Sequence, residues 1–289
     1  MIDLHTHTTE SDGSLSPAEL VDRACAIGLE ALAISDHDTL AGYDGALERA
    51  RGAGLDLIRA IEIGTRHPEP GKPRGQSVHV LGYFLGGAPS RVFLEWVAGI
   101  QAARRDRNIR LAARLRDLGL DVLLEEVEAL GRGLTGRPHF ARVLVRKGYV
   151  ATLEDAFSLY LNQSAKAYVP RIQPPAAEAI ARLREGGALP VVAHPFRLAE
   201  GNPQREREMI AEFCDAGLEG IEAWHSDHSP ADVGRFLALA RRFGLAVTGG
   251  SDYHGEAKAG VRLGTGRNGN LAVPRAVLDR LRKRATSLD

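Results

Sequence analysis

A chain of 289 residues, 44% hydrophobic and 26% charged, has the composition of a globular protein, and its length suits one barrel of alternating strands and helices. Its 37 basic and 37 acidic residues balance to a formal net charge of zero. That argues against a general nucleic-acid coat protein but leaves room for a small phosphorylated ligand held by local arginines. No apolar run is long enough to span a bilayer, the start lacks a signal-peptide pattern, and two cysteines exclude a disulfide framework, so a reducing cytoplasm is expected. Cys25 and Cys214 lie in apolar helical patterns and read as buried thiols.

The chain opens with a short apolar entry into His5-Thr6-His7, followed by Asp12-Gly13. Side chains alternate along a strand, so His5 and His7 face the same way and can share a metal ion. Ser16-Pro17-Ala18-Glu19 is a capping box with proline at the first helical position, and the helix it starts ends at Gly28. Ala31–Ile34 is a short apolar strand of the buried parallel type, delivering Asp36 and His37 at its carboxyl end. A helix over 42–53 precedes a strand over 55–63 that carries Glu62. A further strand over 78–83 carries His79, and the Pro- and Gly-rich stretch from His67 to Gln76 reads as loop, with His67 solvated.

The pattern then changes. Residues 90–119 read as one long basic helix bearing Arg104 and Arg107, and shorter helical segments follow at 122–130, 138–147 and 153–161. Residues 89–171 therefore read as a helical insertion between two barrel segments, 1–88 and 172–289. Alternation resumes near Pro174. Strands over 189–193, 220–224 and 245–248 are followed by His194, by His225, and by Asp252 and His254, with Glu222 inside the second of them.

Strand after strand thus ends on a metal-ligand type, and in barrels of this kind the strand carboxyl ends form the functional face. Six histidines and three carboxylates, His5, His7, Asp12, His37, Glu62, His79, His194, Asp252 and His254, are expected in one pocket. That is too many for one ion, since a catalytic zinc-type site uses about three protein ligands. Two or three divalent ions fit better, and imidazole with carboxylate suits manganese, zinc or iron rather than magnesium or calcium without selecting among the three. Clustered ions activate water and clamp the oxygens of a displacement, and phosphate ester hydrolysis profits most from this.

In Thr135-Gly136-Arg137-Pro138-His139, a hydroxyl, a backbone amide at a helix start and a guanidinium could hold a phosphate, with Arg104 and Arg107 holding another. The competing readings are an ordinary helix start and a solvated basic face. Asp36 is a candidate to orient a ligand histidine, and His225, with His228, to bind or protonate the leaving group. Lys166, Tyr168 and Arg171 are candidates to return from the insertion towards the pocket.

Together, His5-x-His7, Asp12-Gly13, Ser35-Asp36-His37-Asp38, Glu62, His79, His194-Pro195 and Ser251-Asp252-x-His254 resemble the polymerase-and-histidinol-phosphatase (PHP) domain family. The resemblance implies a distorted (β/α)7 barrel of the PHP type with an inserted small helical domain, and a trinuclear metal cluster. Carried over, His5, His7, Glu62 and Asp252 would hold one ion. Glu62 would bridge to a second held by His79 and His194, and Asp12, His37 and His254 would hold a third. Asp12 stands where some relatives have histidine.

Within the family the chain is similar to nucleoside 3′,5′-bisphosphate phosphatases and to 5′→3′ exoribonucleases acting on short RNA. The expected activity is release of the 3′-phosphate of a nucleoside 3′,5′-bisphosphate by a metal-bridging hydroxide, with His194 or a nearby acid assisting the leaving oxygen. The expected partner is a small nucleotide with two phosphates, with no membrane, in a monomer or small homo-oligomer. The rivals are a 5′→3′ exonuclease on short single-stranded RNA or DNA, a carbon–nitrogen or carboxyl-ester hydrolase, and a non-catalytic metal-binding module.

Overall fold

The computed structural model describes residues 1–131 and 134–287. Seven strands form one sheet in chain order: β1 (Ile2–Asp3), β2 (Ala31–Ile34), β3 (Asp56–Glu69), β4 (Lys72–Phe84), β5 (Leu189–Val192), β6 (Gly220–His225) and β7 (Ala246–Gly250). Neighbours pair in parallel except around β4, which runs antiparallel to both β3 and β5. Hydrogen bonds from Leu4 N to Gly249 O, Asp252 N to His5 O and His7 N to Tyr253 O bring the first and last strands together and nearly close a barrel. Gly250 permits this approach, because a Cβ there would lie 2.3 Å from the His5 amide nitrogen.

The connecting helices begin where the sequence supplies caps. Ser16 caps α1 (Pro17–Ala26) in a reciprocal box with Glu19, and Ser229 caps α9 (Pro230–Phe243) with Asp232. Between them come α2 (Ala41–Ala53), α7 (Ala176–Glu185) and α8 (Pro203–Asp215), and α10 (Ala276–Ala285) ends the series. One set of strand side chains, including Leu32 and Ile34, packs on α1 and α2. The alternate set, including Ile2, Leu4, Ala31, Ala33, Tyr83 and Val191, clusters with Val277, Leu278 and Leu281 of α10.

The segment between β4 and α7 holds α3 (Arg91–Asp117), α4 (Leu124–Glu128), α5 (Arg137–Arg146) and α6 (Leu153–Ala156), the last running into a π-helical turn over Phe157–Leu161. The first half of α3 packs Phe93, Val97 and Ile100 into the barrel core. Its second half contributes Leu111, Ala112 and Leu115 to a separate cluster with Val122, Phe140 and Leu161. Among the described residues, no helix is long and apolar enough to cross a membrane.

Three expectations are corrected. The stretch from His67 to Gln76 is not a loop: β3 and β4 continue through it, pairing His67 with Gln76 and Glu69 with Lys72 around a bulge, and turn at Gly71 with φ 77°. His67 is buried rather than solvated, with Nε2 3.1 Å from both Arg205 and Glu212. Cys25 is exposed and Cys214 half-buried, because α1 buries Leu20, Val21 and Ala24 and turns the next residue outward.

Candidate metal centre and adjoining anion pocket

All nine residues expected to gather do so. His5 Nε2, His7 Nε2, Glu62 Oε2 and Asp252 Oδ1 face one another, with both histidines 3.5 and 3.3 Å respectively from Glu62 and again 3.5 and 3.3 Å from Asp252. Four ligands about 2.1 Å from one tetrahedral ion would be separated by about 3.4 Å. His5 Nε2, His7 Nε2 and Glu62 Oε2 are buried without a hydrogen-bond partner, a costly state unless a cation completes it. The donor set therefore fits a divalent ion.

Glu62 faces two ways. Its Oε1 lies 2.8 Å from His79 Nδ1 and 2.9 Å from His194 Nε2, while Oε2 lies 2.8 Å from His37 Nδ1. This is the disposition a bridging carboxylate needs. Asp12 completes a third group with His7, His37 and His254, its Oδ1 3.2 Å from His254 Nε2.

Charge follows geometry. Burial would push the Glu62 carboxyl up, yet His37, His79 and His5 hold it well below the usual carboxylate range. Asp252 and Asp12 are held well below theirs by the same opposition, through His5 and His254 in one case and His37 and His254 in the other. Burial pushes His194 down to about 3, so its imidazole is neutral, as metal ligation requires.

A ring of supports fixes these groups. Glu222, fully buried on β6, accepts from His5 Nδ1 at 2.9 Å and from the His194 amide at 2.6 Å. Asp3 accepts from Ser251 N and Oγ and from Gly264 N, pinning the turn that carries Asp252. Asp36 accepts from Thr8 N at 2.7 Å and Ser11 Oγ at 2.5 Å. It reaches His7 only through Ser11, whose Oγ is 3.5 Å from His7 Nδ1. His225 lies behind the centre: Nε2 is 3.4 Å from Asp252 Oδ2 and Nδ1 accepts from Asp227 N. Asp38, His194 and Asp252 all have positive φ (53°, 30° and 54°), a strain tolerated where surroundings dictate the backbone.

Beside this centre lies a cavity of about 270 Å³ that begins at Asp12, His37 and His79 and runs beneath α3, α5 and the return segment from the helical region. Arg66, Arg104, Arg107, Arg137 and Arg171 line it, with Phe157, Tyr168 and Val169. Arg107 is 4% exposed with an unpartnered Nε. Burial, then the guanidiniums of Arg104, Arg137 and Arg171, push it down to about 8. A guanidinium keeps its proton in a protein, so the strain amounts to a demand for an anion. The solvated-face reading of Arg104 and Arg107 does not describe these side chains.

Thr135, Gly136 and His139 do not line this cavity. Thr135 accepts from Asn108 through its carbonyl and hydroxyl, and His139 Nδ1 accepts from Gly136 N at 3.2 Å, so the motif caps α5. Lys166 is also outside it, whereas Tyr168 and Arg171 are inside. Glu222 stood in the sequence as a metal-ligand type near a strand end and Asp38 in the Ser35–Asp38 motif, neither with a role assigned, and Arg66 was passed over. Glu222 carried a signal, a carboxylate at an inward position of an otherwise apolar strand. Arg66 had none, since it was assigned past the end of its strand.

A family model described as the PHP domain matches residues 3–169. The chain belongs to the PHP family. The PHP match agrees with the nearly closed seven-stranded barrel, and the fold is a distorted (β/α)7 barrel of the PHP type. A 5′-3′ exoribonuclease of Haemophilus influenzae is 33% identical over 87% of this chain and 89% of its own length. A 3′,5′-nucleoside bisphosphate phosphatase of Chromobacterium violaceum is 32% identical over 91% and 90%. A phosphoribosyl 1,2-cyclic phosphate 1,2-diphosphodiesterase of Eggerthella lenta is 33% identical over 88% and 94%. A crystal structure from Bifidobacterium adolescentis, described as a metal-dependent phosphoesterase, superposes with a TM-score of 0.81 at 34% identity, covering 98% of this chain and 96% of its own.

Proposed function

We propose that this PHP metal-dependent phosphoesterase removes the 3′-phosphate from nucleoside 3′,5′-bisphosphates, leaving a nucleoside 5′-monophosphate. The observation that carries the reading is the arginine-lined cavity opening directly from the metal groups. A single phosphate bound at the centre would leave the arginine-lined cavity beyond it empty and the buried Arg107 Nε without a partner. A second phosphate and a nucleoside would occupy that cavity, with Tyr168 and Phe157 offering apolar surface to the base. The Chromobacterium violaceum relative's name supports this substrate, and the other relatives' names support phosphoester hydrolysis.

The helical segment from 89 to 171 supplies most of the substrate side: Arg104, Arg107, Arg137 and Arg171 hold the 5′-phosphate, with Arg66 from β3. Two or three divalent ions, manganese preferred, would be held by His5, His7, Glu62 and Asp252, by Glu62, His79 and His194, and by Asp12, His37 and His254. When bound, such ions supply a nucleophile at neutral pH and neutralise charge on the phosphoryl oxygens. The protein's own part is placement. Glu222 holds His5, Asp3 holds the Asp252 turn, and the arginines fix the distal phosphate so that the scissile one lies in register. His194 and His225 act as holders in this arrangement, since their ring nitrogens face Glu62 and Asp252.

The experiment is a comparison of kcat/KM for adenosine 3′,5′-bisphosphate and adenosine 3′-monophosphate. A large preference for the bisphosphate is expected, and equal rates would contradict the reading. A second reading, exonuclease action on short RNA, is favoured by one observation. The cavity shares Arg66, Ser77, His79 and Gln163 with another of about 350 Å³ lined by Lys72, His194 and Arg197, which offers room for a strand beyond the scissile phosphate.

A further inference from the structure

Asp38 follows His37 directly, is fully buried, and has no role in the chemistry above. Its Oδ2 accepts from Arg171 Nη1 at 2.7 Å and from Arg104 Nη2, and its Oδ1 accepts from the Gly64 amide at 3.0 Å. Its backbone is equally engaged: the amide donates to Glu62 O at 2.9 Å, and the carbonyl accepts from Gln101 Nε2 at 2.8 Å. The residue is not glycine, yet its φ is 53°. Such a conformation is unfavourable for a residue with a Cβ and persists where surroundings over-determine it.

Three distant stretches therefore meet on one residue. The β2 turn brings the neighbour of a metal-group histidine, α3 brings Gln101 and Arg104, and the return segment brings Arg171. Asp38 is absent from the cavity wall, whereas Arg104 and Arg171 are on it. The carboxylate thus grips two guanidiniums from behind and leaves their other faces to the cavity. Of the remaining arginines, Arg66 is held by Gln173 and Arg137 by the Leu161 carbonyl, neither of which adjoins the metal groups in sequence. Among the described residues, Asp38 is the carboxylate that ties two arginines of the wall to the backbone that carries His37 and contacts Glu62.

We propose that Asp38 is a specificity-positioning residue. It fixes the spacing between the metal centre and the arginine cluster, and so favours substrates whose two phosphates are one pentose apart. This inference rests on the bisphosphate reading of the cavity. A role confined to tethering the helical segment would affect all substrates alike, whereas a spacing role acts on the one that spans both sites.

Asp38→Asn is near-isosteric, removes the charge, and turns an amide donor or a neutral oxygen to two guanidiniums. In the full-length, metal-loaded protein, kcat and KM are measured for adenosine 3′,5′-bisphosphate and adenosine 3′-monophosphate, together with bound metal per chain. The preference for the bisphosphate is expected to fall by about 30-fold or more, chiefly through KM, as for truncation of one partner of a buried ion pair. Bound metal is expected to stay at the wild-type level. A retained preference overturns the proposal, and so does an equal loss on both substrates accompanied by loss of metal. Should the variant not fold, Asp38→Glu, which keeps the charge but lengthens the grip by one methylene, asks the same question, and an intact preference there overturns it too. A wild-type enzyme without any preference removes the bisphosphate reading itself, an outcome visible before any variant is made.

Discussion

His5 and Glu222 form a fully buried pair: His5 Nδ1 donates to Glu222 Oε1 at 2.9 Å, leaving Nε2 aimed at Glu62 and Asp252. The bond fixes which ring nitrogen is free, and the ring cannot rotate without breaking it. The other Glu222 oxygen accepts the amide of His194, so one carboxylate sets two members of the centre.

Glu222→Gln should therefore weaken metal binding by about 10- to 100-fold while the protein still folds. Competition with a chromogenic chelator measures this directly. Unchanged affinity would mean that the barrel alone orients His5.

Arg107 should trade stability for function. It is buried, its Nε has no partner, and its nearest charges are other guanidiniums. Replacing a buried, poorly compensated charge with an apolar side chain of similar volume stabilises by about 1–4 kcal/mol in comparable sites. Arg107→Met should raise the melting temperature of the ligand-free protein by several degrees and lower kcat/KM for the bisphosphate by about 100-fold. Scanning calorimetry beside steady-state kinetics checks both halves, and a lower melting temperature would show that Arg107 supports the fold.

Much of this centre was legible in the sequence, for a physical reason. Strand alternation puts His5 and His7 on one side, and the barrel rule places strand-end residues such as His37, His194 and Asp252 on one face. Neither inference needs a long-range contact. What stayed hidden depends on contacts over many residues. Asp38 meets Arg104 and Arg171 only after the helical segment has folded back, and no local pattern announces that. The hairpin beyond Arg66 was obscured because Pro68, Pro70 and Gly75 look like loop punctuation, whereas cross-strand pairing on both sides of a bulge accommodates them. Of the Thr135–His139 motif, Arg137 and Pro138 reach the cavity wall while Thr135, Gly136 and His139 do not, and a helix start looks the same in sequence whether it caps itself or holds a phosphate.

His139 gives the protein a separable acid sensitivity. Burial, then Arg142, pushes it down to about 4 from an ordinary 6.5, and its Nδ1 must be unprotonated to accept from Gly136. A folded-state value below the unfolded one means the unfolded chain takes the proton first on acidification. Stability from this group is thus complete above about pH 6.5, declines as pH falls towards 4, and is fully lost below it, with a total of about 3 kcal/mol. The variant His139→Gln should show a shallower fall of melting temperature than wild type between pH 6.5 and 4. Parallel curves for the two proteins would contradict this.

The central claim is that the arginine cavity and the metal groups act together on one nucleotide bearing two phosphates. Its most direct test is phosphate release by manganese-loaded protein from adenosine 3′,5′-bisphosphate, run beside AMP and a 5′-phosphorylated RNA dinucleotide. The account predicts rapid release of one phosphate from the bisphosphate, with AMP accumulating and inert as a substrate. Rapid conversion of the dinucleotide to mononucleotides, with the bisphosphate left intact, would contradict it and assign the same site to a 5′→3′ exonuclease.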